Sequence, residues 1–510
     1  MNQMLEKKYL KLQNGSDVRG VALEGIEGQN VNLTPAVAKV IAQAFAKWLA
    51  DKTGKAPADL KVAVGNDSRL SGPALREAVI NGLTGSGIQV INCGLASTPA
   101  MFMTTVLEGY CYDGSIMLTA SHLPFNRNGL KFFTVDGGLE KKDITAILEI
   151  CDTLEDSAPA ATTPGTVTKL DFISVYAADL VSKIREKTGM EKPLDGLHIV
   201  VDAGNGAGGF YAEKVLEPLG ADTTGSQFLN PDGSFPNHIP NPEDKDAMEA
   251  IQQAVLTQKA DFGIIFDTDV DRAGAVDRHG KEINRNRIIA LISAIAIGEH
   301  PGAPIVTDSI TSSGLKKFIE QDLGGVHHRF KRGYKNVINE AIRLNNEGIY
   351  TPVAIETSGH GALKENYFLD DGAYLIARLL IQMALLRKED RHIDELIANL
   401  EEPAEAKEFR LNIGCEDFKT YGSDVIEKLG EFAKTVSGWT IEPKNYEGIR
   451  VSCDSANGDG WFLLRLSLHD PLLPLNIESN VEGGVATIAT ALKKFLKDFD
   501  LLDLSSLAAY

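Results

Sequence analysis

One pattern recurs three times in this chain and limits the folds open to it. The copies begin at Leu60 (LKVAVGNDSRLSGPALREAVINGLTGSGIQVINCG), Leu197 (LHIVVDAGNGAGGFYAEKVLEPLGADTTGS) and Ala303 (APIVTDSITSSGLKKFIEQDLGGVHHRF). Each reads as a short β-branched strand, a turn containing Asp, an amphipathic helix closed by Gly, and a second strand. That is a βαβ unit, whose crossover favours parallel pairing in a sheet covered on both faces. Three copies predict three related α/β domains with mixed sheets.

The last hundred residues break the pattern. After the acidic stretch NLEEPAEAKEF come a short strand, a helix (YGSDVIEKLGEFAKTV), several strands and a final helix (GVATIATALKKFLKDF), which predict a smaller α+β domain. At 510 residues the chain is too long for one core. We draw four domains, 1–165, 166–282, 283–402 and 403–510, with the Ala/Thr/Pro-rich segment 157–166 as a linker.

Composition narrows the function classes. A net charge of -19 disfavours nucleic acid and anionic membrane as partners, since both require a basic face. An anionic substrate would then need cations gathered locally. The five cysteines are scattered without a CxxC pair, which suits a reducing compartment and offers no zinc site. MNQMLEKKYLKLQ has no apolar core for a signal peptide, and the run IIALISAIAI (288–297) is too short to span a bilayer and reads as a buried helix. A cytoplasmic protein is the expectation.

Three loops carry candidate chemistry. In ADFGIIFDTDVDRAGAVD a strand delivers Asp267, Asp269 and Asp271 at alternate positions, followed by Arg272. Three carboxylates so close repel unless a cation sits among them, and all-oxygen ligation points to a hard ion such as Mg2+. An EF-hand is excluded, because the sixth loop position is Arg272 and the twelfth Arg278. A haloacid-dehalogenase phosphatase with Asp267 as nucleophile is a rival, and an acidic turn on a solvated face is the bland reading.

The second loop is TASHLPFNRNGLK (119–131), where Ser121 and His122 follow an apolar run and Lys131 returns nearby. G-x-S-x-G is absent, and adjacent residues seldom place a base on their neighbour's hydroxyl, so an esterase elbow is disfavoured. A phosphoserine fits better: its charge of roughly -1.5 to -2 needs cations, which Lys131, Arg19, His122 or a metal would supply. The bland alternative is an Asn-Gly surface turn. The third loop, IETSGH, alternates donors and acceptors at Glu356, Ser358 and His360, suited to a ring of hydroxyls or to a plain polar turn. DAGNGAGG contains G-x-G-x-x-G (Gly204, Gly206, Gly209), but Asp222 falls in a turn rather than at a strand tip. A structural βα turn is the better reading than a dinucleotide site.

Taken together, these loops resemble the α-D-phosphohexomutases, in their phosphoglucomutase/phosphomannomutase branch. The family's phosphoserine loop, T-A-S-H-N-P followed by N-G-x-K, stands here as TASHLPFNRNGLK. Its metal loop D-G-D-x-D-R stands as DTDVDR, and its sugar loop G-E-x-S-G-H as IETSGH. SDVRG, VGNDSRLSG, VDAGNGAGG, PDGSFPNHIPNP and FLDDGAY follow the family's order from residue 16 to 372.

The resemblance implies four domains around a central cleft and Mg2+-dependent transfer of phosphate between O1 and O6 of glucose or mannose phosphate through a bisphosphorylated sugar; a small-molecule sugar phosphate as partner, with the chain a monomer or homodimer, is the expectation. It implies that Ser121 carries the phosphoryl group and that Asp267, Asp269 and Asp271 hold Mg2+ with a phosphoserine oxygen. Lys131 and Arg19 become candidates for acid/base work, with His122 beside them and a Lys131 pKa lowered toward neutrality by neighbouring cations. Glu356, Ser358 and His360 would meet the sugar. Arg272 and the basic segment FKRGYKNV, with Lys331, Arg332, Gly333 and Tyr334, would also meet substrate.

Departures gather in the last domain. The family's phosphate loop, R-x-S-G-T-E-P or R-S-S-N-T-E-P, stands here as RLSLHDP, which keeps Arg465 and Ser467 and places His469 where a hydroxyl is usual. Leu123 and Thr268 are smaller departures in the other two loops. A noncatalytic sugar-phosphate binder and a phosphosugar phosphatase remain as alternatives.

Overall fold

The copy that begins at Leu60 forms as its pattern predicts. In the computed structural model, which describes residues 8–154, 163–467 and 470–510, β1 (Asp17–Val21) precedes β2 (Lys61–Asn66), the helix Gly72–Gly85 and β3 (Gln89–Leu95). β4 (Gly114–Leu118) and β5 (Arg127–Thr134) complete a mixed sheet of order β1-β5-β4-β2-β3, extended by short strands. β2 runs parallel to β3 and β4, and β5 returns antiparallel to β4. Part of the linker predicted over 157–166 lies outside the described residues; beyond it, Val167–Lys169 adds to the sheet beside β3.

The helix Pro35–Thr53 shows why this layer packs. The Thr34 side chain accepts from Val37 N, proline occupies the first turn, and Gly54 ends the helix at φ 69°. Ala38, Ile41, Ala42, Phe45 and Leu49, spaced three and four apart, are fully buried on one face. Phe45 meets Phe132 of β5 with ring centroids 5.0 Å apart. Burial of each such large side chain stabilises the fold by roughly 1.5–3 kcal/mol.

The chain divides into two compact units, Met1–Asn284 with Ser358–Ile393, and Arg285–Thr357 with Asp394–Tyr510. In the first unit the Leu197 copy departs from expectation. β6 (Ile199–Asp202) forms, but Ala212–Leu216 and Glu217–Leu219 make π and 3-10 turns, and the predicted second strand is reduced to the bridges His198↔Asp222 and Asp202↔Gln227. The Asp222 carboxylate accepts from Thr224 N at 2.9 Å and turns the chain where a strand would continue. β6 instead pairs in parallel with β7 (Phe262–Phe266), which runs antiparallel to β8 (Ala273–Asp277). The helix Gly372–Arg387 belongs to this unit, and Tyr176 Oη donates to Asp371 at its N-cap, 2.6 Å away.

In the second unit the apolar run 288–297 lies in the helix Asn286–Glu299 and is largely buried. The Ala303 copy supplies β9 (Pro304–Thr307) and β10 (Val326–Arg329), and β11 (Val353–Ile355) pairs in parallel on the other side of β9. The predicted α+β region forms an antiparallel sheet of β12 (Glu405–Asn412), β13 (Trp439–Ile441), β14 (Ile449–Cys453), β15 (Gly460–Leu464) and β16 (Leu472–Ser479), in the order β12-β16-β15-β14-β13. The helices Phe418–Ala433 and Gly484–Leu496 share its apolar core. Arg450 of β14, stacked 3.5 Å from the Trp461 ring centroid, donates to the carbonyls of Ser309 and Thr311 beyond β9. Among the described residues no helix is long and apolar enough to cross a membrane.

Candidate active site

Ser121 sits where β4 gives way to β5. It adopts φ 51°, a left-handed backbone uncommon for a residue with a side chain, and its N–H donates to Thr119 Oγ1 at 2.9 Å. The Asn-Gly pair is no surface turn. Asn128 and Gly129 are buried inside β5, and a Cβ on Gly129 would stand 2.8 Å from Arg19 Cδ and 2.9 Å from Thr119 O. That close approach lets Arg19 of β1 reach across, donating to Thr119 O at 2.6 Å and to Asp17 at 2.8 Å. Lys131 pairs across from Met117, so β5 carries it back beside the loop.

The turn between β7 and β8 holds all three aspartates, buried to 0%, 0% and 2% exposure, which removes the solvated acidic turn as a description. Ser121 Oγ donates to Asp267 Oδ2 at 3.2 Å and accepts from Arg272 at 3.1 Å, while Arg272 Nε reaches the same Asp267 oxygen at 3.2 Å. The cation among the carboxylates is the Lys131 ammonium, 3.0 Å from Asp269 Oδ2 and in a short bond to Asp271 Oδ2. Thr98 Oγ1 also donates to Asp269 Oδ2, at 2.5 Å.

This donor set fits a hard divalent ion. One carboxylate oxygen from each aspartate lies within 4.8 Å of the others. Asp269 Oδ1 and Asp271 Oδ1 are buried acceptors with no hydrogen-bond partner. The glycines of DAGNGAGG serve this loop, supporting the structural reading: Ala207 N donates to Thr268 O at 2.8 Å, and a Cβ on Gly206 would come within 2.7 Å of that oxygen.

Charge is distributed unevenly over the cluster. Burial, followed by the charges of Asp271 and Asp269, pushes the Asp267 carboxyl well above the usual range. Asp271 moves the other way: burial opposes ionisation, but Lys131, His360 and Arg272 together outweigh it. Lys131 corrects an expectation. Burial lowers its pKa, yet Asp269 and Asp271 hold it well above its ordinary value, because its nearest neighbours are carboxylates rather than the cations the loop order suggested.

A second correction concerns His122. Although adjacent in sequence, its Nδ1 lies 3.2 Å from Ser121 Oγ. The same nitrogen receives an N–H from Arg272 at 2.5 Å. Burial first, and the Arg272 charge second, press its pKa down to about 3, so the ring is neutral and its lone pair is engaged.

The sugar-loop candidates divide between the units. In the first, Ser358 is buried, and His360 Nδ1 donates to Asp370 Oδ2 at 2.5 Å; burial opposes protonation, but the Asp370 charge carries His360 up to about 9. Gly359 turns at φ 91° against Ala273, and an antiparallel bridge joins Arg272 to His360.

In the second unit Glu356 follows β11 and accepts from Gly333 N at 2.6 Å. Glu447 accepts from Arg332 N at 3.1 Å and from Ser309 Oγ at 2.5 Å, with Arg465 3.9 Å from its other oxygen. Lys331 is exposed, and Tyr334 begins the helix Tyr334–Asn346. Ser467 Oγ accepts from Asp470 N at 3.2 Å, whereas His469 lies outside the described residues.

Sequence reasoning missed Thr98, Asp370, Glu447 and Arg69 as neighbours of these groups. Asp370 and Arg69 lie inside quoted motifs, FLDDGAY and VGNDSRLSG, where order along the chain gave no distance to Ser121 or His360. Glu447 and Thr98 lie in segments with no distinguishing pattern.

Comparison with known proteins follows the same loops. Residues 11–158, 175–280 and 284–403 match the models for phosphoglucomutase/phosphomannomutase alpha/beta/alpha domains I, II and III. The chain is 32% identical over 476 residues to a phosphoglucomutase of Neisseria gonorrhoeae, covering 93% of this chain and 95% of that protein. It is 31% identical over 441 residues to a phosphomannomutase/phosphoglucomutase of Pseudomonas aeruginosa, covering 86% and 88%. A crystal structure of a phosphoglucomutase/phosphomannomutase family protein from Burkholderia thailandensis superposes with a TM-score of 0.76 at 26% identity, over 97% of this chain and 98% of that one.

Proposed function

Because the chain belongs to the phosphoglucomutase/phosphomannomutase family, we propose that it is a phosphohexomutase moving phosphate between O1 and O6 of glucose or mannose phosphate, with Ser121 as the phosphoryl carrier. The observation that carries this reading is the meeting at Ser121 Oγ of Asp267 at 3.2 Å and Arg272 at 3.1 Å, beside Lys131 among Asp269 and Asp271. A phosphoryl group on Oγ would face a cluster built to hold a divalent cation and would be flanked by two fixed cationic side chains.

Asp267, Asp269 and Asp271 are the residues that would hold Mg2+, which when bound supplies positive charge to the transferring phosphoryl oxygens. The protein's own residues do the rest. In the forward half, the Oγ–phosphorus bond breaks as a bond forms from phosphorus to a sugar hydroxyl. That hydroxyl gives up its proton, and Oγ regains one. Lys131, held protonated by its carboxylate neighbours, suits the donor that returns the proton to Oγ. His122, neutral and bonded to Arg272, suits a positioning contact more than a base.

Glu356 and His360 offer an acceptor and a donor to sugar hydroxyls, and Arg332, Arg465 and Ser467 suit the second phosphate. The sugar must turn over between half-reactions, which favours contacts serving both orientations. A Mg2+-dependent enzyme working on a soluble sugar phosphate in the cytoplasm, as monomer or homodimer, completes the reading.

The test is an assay of purified protein with glucose 1-phosphate and mannose 1-phosphate, Mg2+ and catalytic glucose 1,6-bisphosphate. The reading predicts the 6-phosphates, with the rate lost in Ser121→Ala. Steady release of inorganic phosphate without isomer would mark a phosphatase, and binding without turnover a noncatalytic receptor.

A further inference from the structure

We propose that Arg69 is a positioning residue for the phosphoryl-carrying loop, a buried guanidinium around which the backbone of residues 121–127 is wound. The inference rests on the reading of Ser121 as phosphoryl carrier. Arg69 is fully buried, and its four terminal N–H groups are directed at four carbonyls of that loop. One terminal nitrogen donates to Ser121 O and to Leu123 O, the latter at 2.6 Å. The other donates to Pro124 O at 2.8 Å and Arg127 O at 3.0 Å. Nε completes the fork, facing Asp67 Oδ2 at 3.4 Å.

The cation is itself held from two sides. Asp67 Oδ1 accepts from Arg69 N at 2.9 Å, and Asp67 N donates to Leu118 O at 3.1 Å, tying the turn after β2 to the end of β4. The Phe235 ring lies 5.3 Å from the guanidinium carbon. Gly233 brings its backbone so close that an added Cβ would stand 2.5 Å from Ser68 O. Segments quoted from the sequence without any role, VGNDSRLSG and PDGSFPNHIPNP, thus meet at one buried charge.

The consequence for chemistry lies at Ser121. Its left-handed φ of 51° is unfavourable for a side-chain-bearing residue, and its own carbonyl is one of the four that Arg69 binds. Fixing that carbonyl fixes the direction in which Oγ leaves the backbone, toward Asp267 and Arg272. Four carbonyls pointing at one centre need a planar fork with donors at both ends. A lysine presents three donors at a single point and cannot span them. The hydrogen bonds of the Arg69 side chain go to the loop backbone, and its charge is also felt by Asp269 and Asp267, so Arg69→Lys, which keeps the charge and removes the fork, isolates the positioning effect.

The test follows Ser121 phosphorylation in single turnover, mixing full-length protein, Mg2+ and glucose 1,6-bisphosphate and reading intact mass over time. Arg69→Lys is compared with wild type, with bisphosphate Kd and thermal melting measured on the same samples. Displacing a reacting atom by about 1 Å costs on the order of 100-fold, so we expect Arg69→Lys to slow phosphorylation by roughly 10- to 100-fold with Kd within about 2-fold. Asp67→Asn, which keeps shape but removes the charge that orients Nε, is the second variant should Arg69→Lys not fold; a smaller slowing, about 5-fold, is expected. A folded variant phosphorylated at the wild-type rate, or one in which the rate falls only as much as Kd weakens, overturns the inference. Wild-type protein that takes no phosphoryl group overturns instead the carrier reading beneath it.

Discussion

Lys131 Nζ lies 3.0 Å from Asp269 Oδ2, so the ammonium that the Ser121 loop contributes stands inside the carboxylate cluster of the neighbouring loop. The ammonium neutralises the aspartates from a strand that also frames the Ser121 loop, which is why we propose it as the group that returns a proton to Ser121 Oγ. Lys131→Met leaves buried carboxylates uncompensated, a loss on the order of 3 kcal/mol. In chelator its melting temperature should fall below that of wild type, and Mg2+ should raise it by more than it raises wild type. Equal Mg2+-induced shifts in the two proteins would show that Lys131 and the ion do not share the cluster.

The aspartates should not be interchangeable with their amides. Asp271→Asn removes a charge that Lys131, His360 and Arg272 together hold ionised against burial. Kinetics with glucose 1-phosphate should show kcat/KM lower by about 100- to 1,000-fold, the scale of losing a preorganised electrostatic contact to the transition state. Excess Mg2+ should recover part of that loss.

Glu447 binds the backbone of Arg332 and lies beside Arg465, two of the residues proposed for the second phosphate. Glu447→Ala should therefore disturb the grip on the distal phosphate and spare the transfer step. Steady-state kinetics should give a KM raised about 10-fold with kcat within about 2-fold. Glu447→Asp should recover part of the change.

Asp202 and His238 form a pair whose pH dependence has a definite sign. His238 Nε2 lies 3.1 Å from both Asp202 oxygens and Nδ1 3.0 Å from Ile239 O, so both nitrogens face acceptors and the protonated ring is favoured. Burial lowers the His238 pKa, but the Asp202 bond and charge raise it above 6.5 overall. A raised folded-state pKa contributes stability fully below the unfolded value of 6.5 and loses it as pH rises through the folded value. Asp202→Asn should therefore destabilise more at pH 5.5 than at pH 9, measured by urea unfolding.

The periodic elements of this chain were legible because their signals are local. Strand, Asp turn, helix and Gly stop placed Lys61–Asn66, Gly72–Gly85 and Gln89–Leu95, and the run FGIIF placed the strand that presents Asp267. The Leu197 copy misled because its glycines, which resemble a helix start, serve the close approach of that turn to Thr268. Motif order singled out Ser121, Lys131, Arg272 and the three aspartates, which the structure brings together; their charge states were not readable. Lys131 read as a lysine among cations, since Arg19 and His122 are its neighbours by motif. In space Asp269 and Asp271, from a loop more than a hundred positions away, decide its charge. Arg69 was invisible for the same reason: its partners are backbone carbonyls, which any sequence supplies.

The central claim, that Ser121 carries the phosphoryl group, is tested most directly by label transfer. Protein incubated with Mg2+ and glucose 1,6-bisphosphate bearing a radioactive phosphate is digested and its peptides mapped. We predict label on the peptide containing Ser121 and nowhere else, released into sugar bisphosphate when glucose 6-phosphate is added, and absent in Ser121→Ala. Label on Asp267, or label that leaves only as inorganic phosphate, would contradict it.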